Sequence, residues 1–112
     1  MTCETNGNKI PKRITKTLLK RLGDCKEGIA AFVAVFPKGV AMTPETLQVA
    51  FDAELDLDFL SVLLGCYQYR DNVAISALYR QYDRDEITWD ELMRRRRRIG
   101  TEAILWALEA QK

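Results

Sequence analysis

Two short segments, Thr43-Pro44-Glu45 and Thr88-Trp89-Asp90-Glu91, constrain this chain most, because each reads as a helix start. A threonine hydroxyl there accepts a hydrogen bond from an unsatisfied first-turn amide. Proline suits the first helical position because its missing N–H would find no partner in any case. An apolar pair is placed to staple each entry, Met42 with Leu47 and Ile87 with Leu92. Glu91, three residues after Thr88, predicts a full capping box.

Similar punctuation divides the rest of the chain. Pro11 to Leu22 predicts a first helix, with Pro11 in its first turn, an apolar edge of Ile14, Leu18, Leu19 and Leu22, and Gly23 as its stop. Asp24 and Glu27 predict the cap of a second helix. Its run Ile29 to Phe36 is apolar on every face and predicts a central position, with a strand as the rival reading of so short a run. Pro37-Lys38-Gly39 is a turn. The helix begun at Thr43 carries Leu47, Ala50 and Phe51 and ends near Glu54. Another starts at about Asp58 and buries Phe59, Leu60, Leu63, Leu64 and Tyr67. Asn72 predicts the cap of a helix with Ile75, Leu78, Tyr79 and Tyr82 at core spacing. After the acidic turn Asp83 to Glu86, the last helix runs through the arginines, with Ile99, Ala103, Trp106 and Ala110 as its apolar stripe. The sequence leaves open whether that helix passes straight through Gly100. The expected fold is all-α, a compact single-domain bundle of about six short helices over residues 10–112, behind a flexible tail over residues 1–9.

With 112 residues, 47% of them hydrophobic, the chain is long and apolar enough to bury a core without metal or disulfide staples. Its longest apolar stretches, Ile29 to Phe36 and Phe59 to Leu64, are too short to cross a bilayer. Residues 1–9 lack the apolar centre of a secretory signal, so no membrane and a cytoplasmic location are expected. Cys3, Cys25 and Cys66 are odd in number and widely spaced, unlike a disulfide framework or a zinc knuckle. There is no histidine, which excludes Ser-His-Asp and Cys-His nucleophile activation and removes the commonest general base. Cys25 falls in a first helical turn, where the dipole favours a thiolate, but with only Lys26 beside it a half-buried packing role is the expectation, as it is for Cys66. No catalytic residue, metal or cofactor is expected.

Charge is segregated. Residues 1–40 carry eight Lys/Arg against three acids, residues 41–93 three against eleven, and residues 94–112 six against two. Patches therefore matter more than the net charge of +1. Arg94, Arg95, Arg96, Arg97 and Arg98 are the loudest feature. At about 100° per residue they cover every face of a helix, so one of them must lie over the core side or the helix must project from the bundle. Asp90 and Glu91, four residues before Arg94 and Arg95, offer internal partners. A protein or phosphate surface is the alternative use of the run. Asp52, Glu54, Asp56 and Asp58 alternate like calcium ligands, but the sixth loop position is Leu57 and the twelfth Leu63, so the EF-hand test fails. They remain an acidic docking surface. Tyr69 and Arg70, off the core stripe, have the composition of an interface anchor. Lys12, Arg13, Lys16, Lys20 and Arg21 surround the first helix and join a nucleic-acid surface only if they share a face with the arginines.

The stretch Leu22-Gly23-Asp24-Cys25-Lys26-Glu27-Gly28-Ile29, with Phe32 and then Phe36-Pro37-Lys38-Gly39-Val40, resembles a segment of small phage and prophage proteins, L-G-x-C-x-E-G-φ-x-x-F…F-P-x-G-V. Ala31 stands where many of those carry tryptophan, and the resemblance covers roughly residues 18–60. It implies a phage origin and brings no catalytic residues. By analogy it implies a protein that binds and disables a host protein complex, as anti-CRISPR proteins do. The expected function is thus a non-enzymatic interaction protein with a protein partner, using the arginine run, the acidic middle and Tyr69-Arg70. The alternative is a nucleic-acid-binding accessory protein using the arginines and the basic first helix.

Overall fold

The computed structural model describes residues 10–111, so the tail expected over residues 1–9 and Cys3 lie outside the described residues. Six helices follow in order: α1 (Lys16–Leu22), α2 (Lys26–Val35), α3 (Pro44–Asp52), α4 (Leu57–Leu64), α5 (Tyr69–Asp83) and α6 (Trp89–Ala110). The only other regular structure among the described residues is a two-stranded ribbon, β1 (Arg13–Ile14) antiparallel to β2 (Val40–Ala41), with Arg13 opposite Ala41 and Ile14 opposite Val40. The all-α bundle is what the sequence predicts.

The ribbon corrects the reading of Pro11 as a helical residue. Thr15 is extended and caps α1, its hydroxyl accepting from the Leu18 amide at 3.1 Å, so the helix starts five residues later than expected. Ile14 still reaches the core, but from a strand. Gly39 makes the return possible: at φ 80° it lies where side chains are strained, and a Cβ there would stand 2.8 Å from the Ile14 carbonyl oxygen. Gly23 ends α1 as predicted, in the left-handed region at φ 90°.

Three caps are displaced from the predicted residues. Asp24 spends its carboxylate on the Cys25 amide at 2.8 Å, and Cys25 itself caps α2, its sulfur accepting from the Gly28 amide at 3.3 Å. Asp56 caps α4 by accepting from Phe59 at 2.9 Å, and Gly65, left-handed at φ 68°, ends the helix before Tyr67. Gln68 caps α5, because the Asp71 carboxylate turns back to accept its amide at 2.8 Å, so Asn72 lies exposed inside the helix. Thr43 and Thr88 cap α3 and α6 as predicted. The Thr88 box is only half built, since the Glu91 carboxylate is taken by Arg95 at 2.7 Å.

The helix α2 is not central. Only Phe32 is buried, and Ala30, Ala31 and Ala34 are exposed. Alanine leaves a helix face with little to bury, so α2 packs by the one side carrying Ile29, Phe32, Val33 and Phe36. The central pair is α4 on α6, with α5 and α3 also packed on α6. Helix α6 runs unbroken through Gly100, which is buried. A Cβ there would lie 2.7 Å from the Leu57 carbonyl oxygen and 2.9 Å from the Asp58 Cα, so the backbone of α4 rests directly on α6. Ser61, fully buried, donates to the Gly100 carbonyl at 2.5 Å. This contact sets which side of α6 faces inward. Leu92, Gly100, Thr101, Ala103 and Ile104 are buried, whereas Trp106 is 44% exposed and Ala110 is exposed, so the stripe is rotated from the one predicted.

Alanine is a better helix former than glycine by about 1 kcal/mol. At position 100 the close backbone contact reverses that preference. Gly100→Ala is expected to destabilise the protein by about 1–3 kcal/mol in urea unfolding, where the same substitution in an exposed helix would stabilise it.

Candidate interaction surfaces

The arginine run is drawn into the fold on three sides. Arg96 sits one turn before Gly100 and occupies the core side, as the covering of every face requires. Its guanidinium donates to Asp58 of α4 at 2.8 Å and to the Tyr79 hydroxyl of α5 at 2.5 Å. The other oxygen of Asp58 accepts from the Tyr67 hydroxyl. Asp58 and Arg96 are mostly shielded, with side chains 20% and 24% exposed. Desolvation pulls the Arg96 pKa down, but the charge and hydrogen bond of Asp58, helped by Tyr79, outweigh it and the net direction is up. Burial first, then the hydrogen bond to Asp58, push the Tyr67 phenol well up, so it remains a donor to the carboxylate.

Arg94, Arg97 and Arg98 share another face of α6, at the i, i+3, i+4 spacing that brings side chains together. Their guanidinium carbons lie 5.9, 5.1 and 3.8 Å from the centre of the Phe51 ring on α3. Arg98 also donates to the side-chain amide oxygen of Gln48 at 3.4 Å. Among the described residues none of the three is in an ion pair. Arg95 takes the remaining side and pairs with Glu91, with both side chains more than 40% exposed. Of the two internal pairs predicted for the run, this is the one that forms.

Of the acidic middle, Asp52, Glu54 and Asp56 are exposed and Asp58 is half-buried. Asp58 is turned inward to Arg96, Asp56 is spent as a cap, and Asp52 accepts from Gln48 at 2.9 Å. Glu54 is exposed in the link between α3 and α4, at φ 62°. Among the described residues no group of three or more His, Cys, Asp or Glu is arranged to hold a metal ion.

Nor do the described contacts join the two basic blocks. The arginines reach α3, α4 and α5, whereas α1 packs on α2. Lys16, Lys20 and Arg21 are exposed on α1; Lys12 and Arg13 belong to the ribbon segment, where Arg13 donates to the Lys38 carbonyl at 2.7 Å. The cysteines diverge as well. Cys25 is exposed, not half-buried, while Cys66 is buried and its thiol is pushed up to about 12 by desolvation and then by Asp71.

The most exposed aromatic group is at the start of α5. Tyr69 is 84% exposed, and Val73 lies one turn along the same face and is also exposed. Arg70 reaches across to α6, its guanidinium carbon 5.1 Å from the Trp106 ring centre. Tyr69 and Arg70 were legible from composition, but Trp106 was assigned to the core stripe. Centring that stripe on Gly100, as the glycine where a neighbour comes closest, would have turned Trp106 outward. At the far end of the same helix pair, Tyr82 and Trp89 meet edge to face at 5.5 Å.

Compared with known proteins, the chain matches no family model, no curated protein and no solved structure.

The two paired arginines are expected to differ sharply on truncation. Arg96→Ala leaves Asp58 shielded without its partner and should cost about 2–3 kcal/mol. Arg95→Ala removes only a solvated pair and should cost less than about 1 kcal/mol. Urea midpoints of the two variants check this directly.

Proposed function

We propose that this protein is a non-enzymatic interaction protein that binds another protein through the exposed end of the α5–α6 pair. The observation that carries this reading is the 84% exposed Tyr69 at the start of α5, with exposed Val73 one turn along and the adjacent Arg70 stacked over exposed Trp106 of α6. Tyrosine, tryptophan and arginine dominate binding energy at protein interfaces, because they bury large areas at low entropic cost while keeping a polar handle. Arg70 is held over Trp106 before any partner arrives, which lowers the cost of ordering it on binding. No helix among the described residues is long and apolar enough to cross a membrane, in keeping with a protein that meets its partner in the cytoplasm. The resemblance to small phage proteins makes a host protein complex the natural target, with the chain acting by occupying it, in the manner of anti-defence and anti-CRISPR proteins.

One observation favours the second reading, a nucleic-acid-binding accessory protein. Arg94, Arg97 and Arg98 cluster on one face with no ion pair among the described residues, and such a cluster suits phosphates.

A pull-down from bacterial host lysate at physiological salt, split into nuclease-treated and untreated halves, separates the two. The protein reading expects a discrete band in both halves, lost with the double variant Tyr69→Ala, Trp106→Ala while its circular dichroism melt is unchanged. Hot-spot truncation of this kind weakens binding by about 30-fold or more. Material that disappears with nuclease, and binding that falls steeply with salt, would overturn it in favour of the arginine cluster.

A further inference from the structure

A cleft of about 330 Å³ opens between α1 and α2 on one side and α3 and α4 on the other. Its volume is in the range of small-molecule sites. The floor is made by core side chains, among them Leu19, Phe32, Met42, Leu47 and Leu57. Part of the wall is α2, where Ala31 leaves space that a larger side chain would fill.

The charged residues that line this cleft are all of one sign. Asp24 and Glu27 come from the start of α2, and Glu54 and Asp56 from the link between α3 and α4. Among the described residues no lysine or arginine lines it. None of the four carboxylates is in an ion pair among the described residues. Glu27, Glu54 and Asp56 are exposed and Asp24 half-buried, so the acids stand toward the mouth and the apolar side chains beneath. An apolar hole under an acidic rim that no cationic side chain offsets among the described residues attracts cations and repels anions, and low-dielectric walls focus that field.

We propose that this cleft binds a small amphipathic cation, an alkyl or aryl group of about eight to ten carbons carrying one protonated amine. The apolar group enters between α2 and α4 and the ammonium stays among the carboxylates. This site is separate from the Tyr69–Trp106 surface, so either assignment stands or falls without the other.

Calorimetric titration of the purified full chain at neutral pH with octylamine, octanol and octanoate tests it. Octylamine should bind saturably and more tightly than octanol, with octanoate weakest. The double variant Glu27→Gln, Glu54→Gln avoids the two acids that hold helix-start amides. It should weaken octylamine about tenfold and leave octanol unchanged. Ala31→Phe, at an exposed helix position, should abolish binding of both. Exposed Cys25 lines the same cleft and supplies an independent reporter in a Cys3→Ser background, because octylamine should slow its alkylation while buried Cys66 is inert throughout. Octanoate binding as tightly as octylamine, no saturable octylamine binding, or an unchanged octylamine affinity in the double variant would each overturn the proposal.

Discussion

The backbone of α4 lies on a glycine of α6, and the placement of the remaining elements follows from that contact. With no side chain at Gly100, Leu57 and Asp58 approach to a distance that a single Cβ would forbid. Ser61 then reaches the Gly100 carbonyl and satisfies its own buried hydroxyl in the same step. One turn earlier on α6, Arg96 meets Asp58 one residue beyond Leu57. An apolar close contact and a polar lock thus sit side by side on one stripe. The first brings the helices together, and the second fixes their register, because only one alignment pairs the shielded carboxylate.

That geometry gives the arginine run its meaning. Five cationic residues in succession cannot all avoid the core side of a helix packed on three neighbours. The fold accommodates them by giving each face its own partner: Asp58 and Tyr79 for Arg96, the Phe51 ring for Arg94, Arg97 and Arg98, and Glu91 for Arg95. Their long aliphatic stems also cover apolar surface between α6 and α3. The run therefore ties α3, α4 and α5 to one helix, and its surface-facing charge is concentrated over Phe51. Tyr69, Arg70 and Trp106, by contrast, are exposed, which is why they are the better basis for a binding surface.

The fold was legible in the sequence wherever a local signal acts alone. Thr43-Pro44, Thr88 and Gly23 marked helix ends correctly, because capping and left-handed glycine depend on a few neighbouring atoms. It was illegible where two local signals compete or where tertiary contacts decide. Asp24 and Cys25 both had access to the start of α2, and the aspartate bonded the nearer amide. The ribbon rests on strands of two residues each, too short for any periodicity, and only the return through Gly39 makes it. The side of α6 that faces inward is set by α4, and within α6 only Gly100 marks it, against an apolar spacing that points Trp106 inward. Likewise the apolar run in α2 promised a central helix, yet its alanines are exposed and Ala31 lines the cleft beside it. Of the candidate surface, Tyr69 and Arg70 were readable from composition, whereas their neighbour across the helix pair was not.

Native-state hydrogen exchange tests this account most directly, because it measures the opening free energy of each helix separately. If the α4–α6 crossing holds the structure together, amides of Leu60–Leu64 and Ala103–Leu105 should exchange only through global unfolding, and those of α1 and α2 should open at lower free energy. Amides at the crossing that exchange more readily than those of α1 and α2 would contradict it.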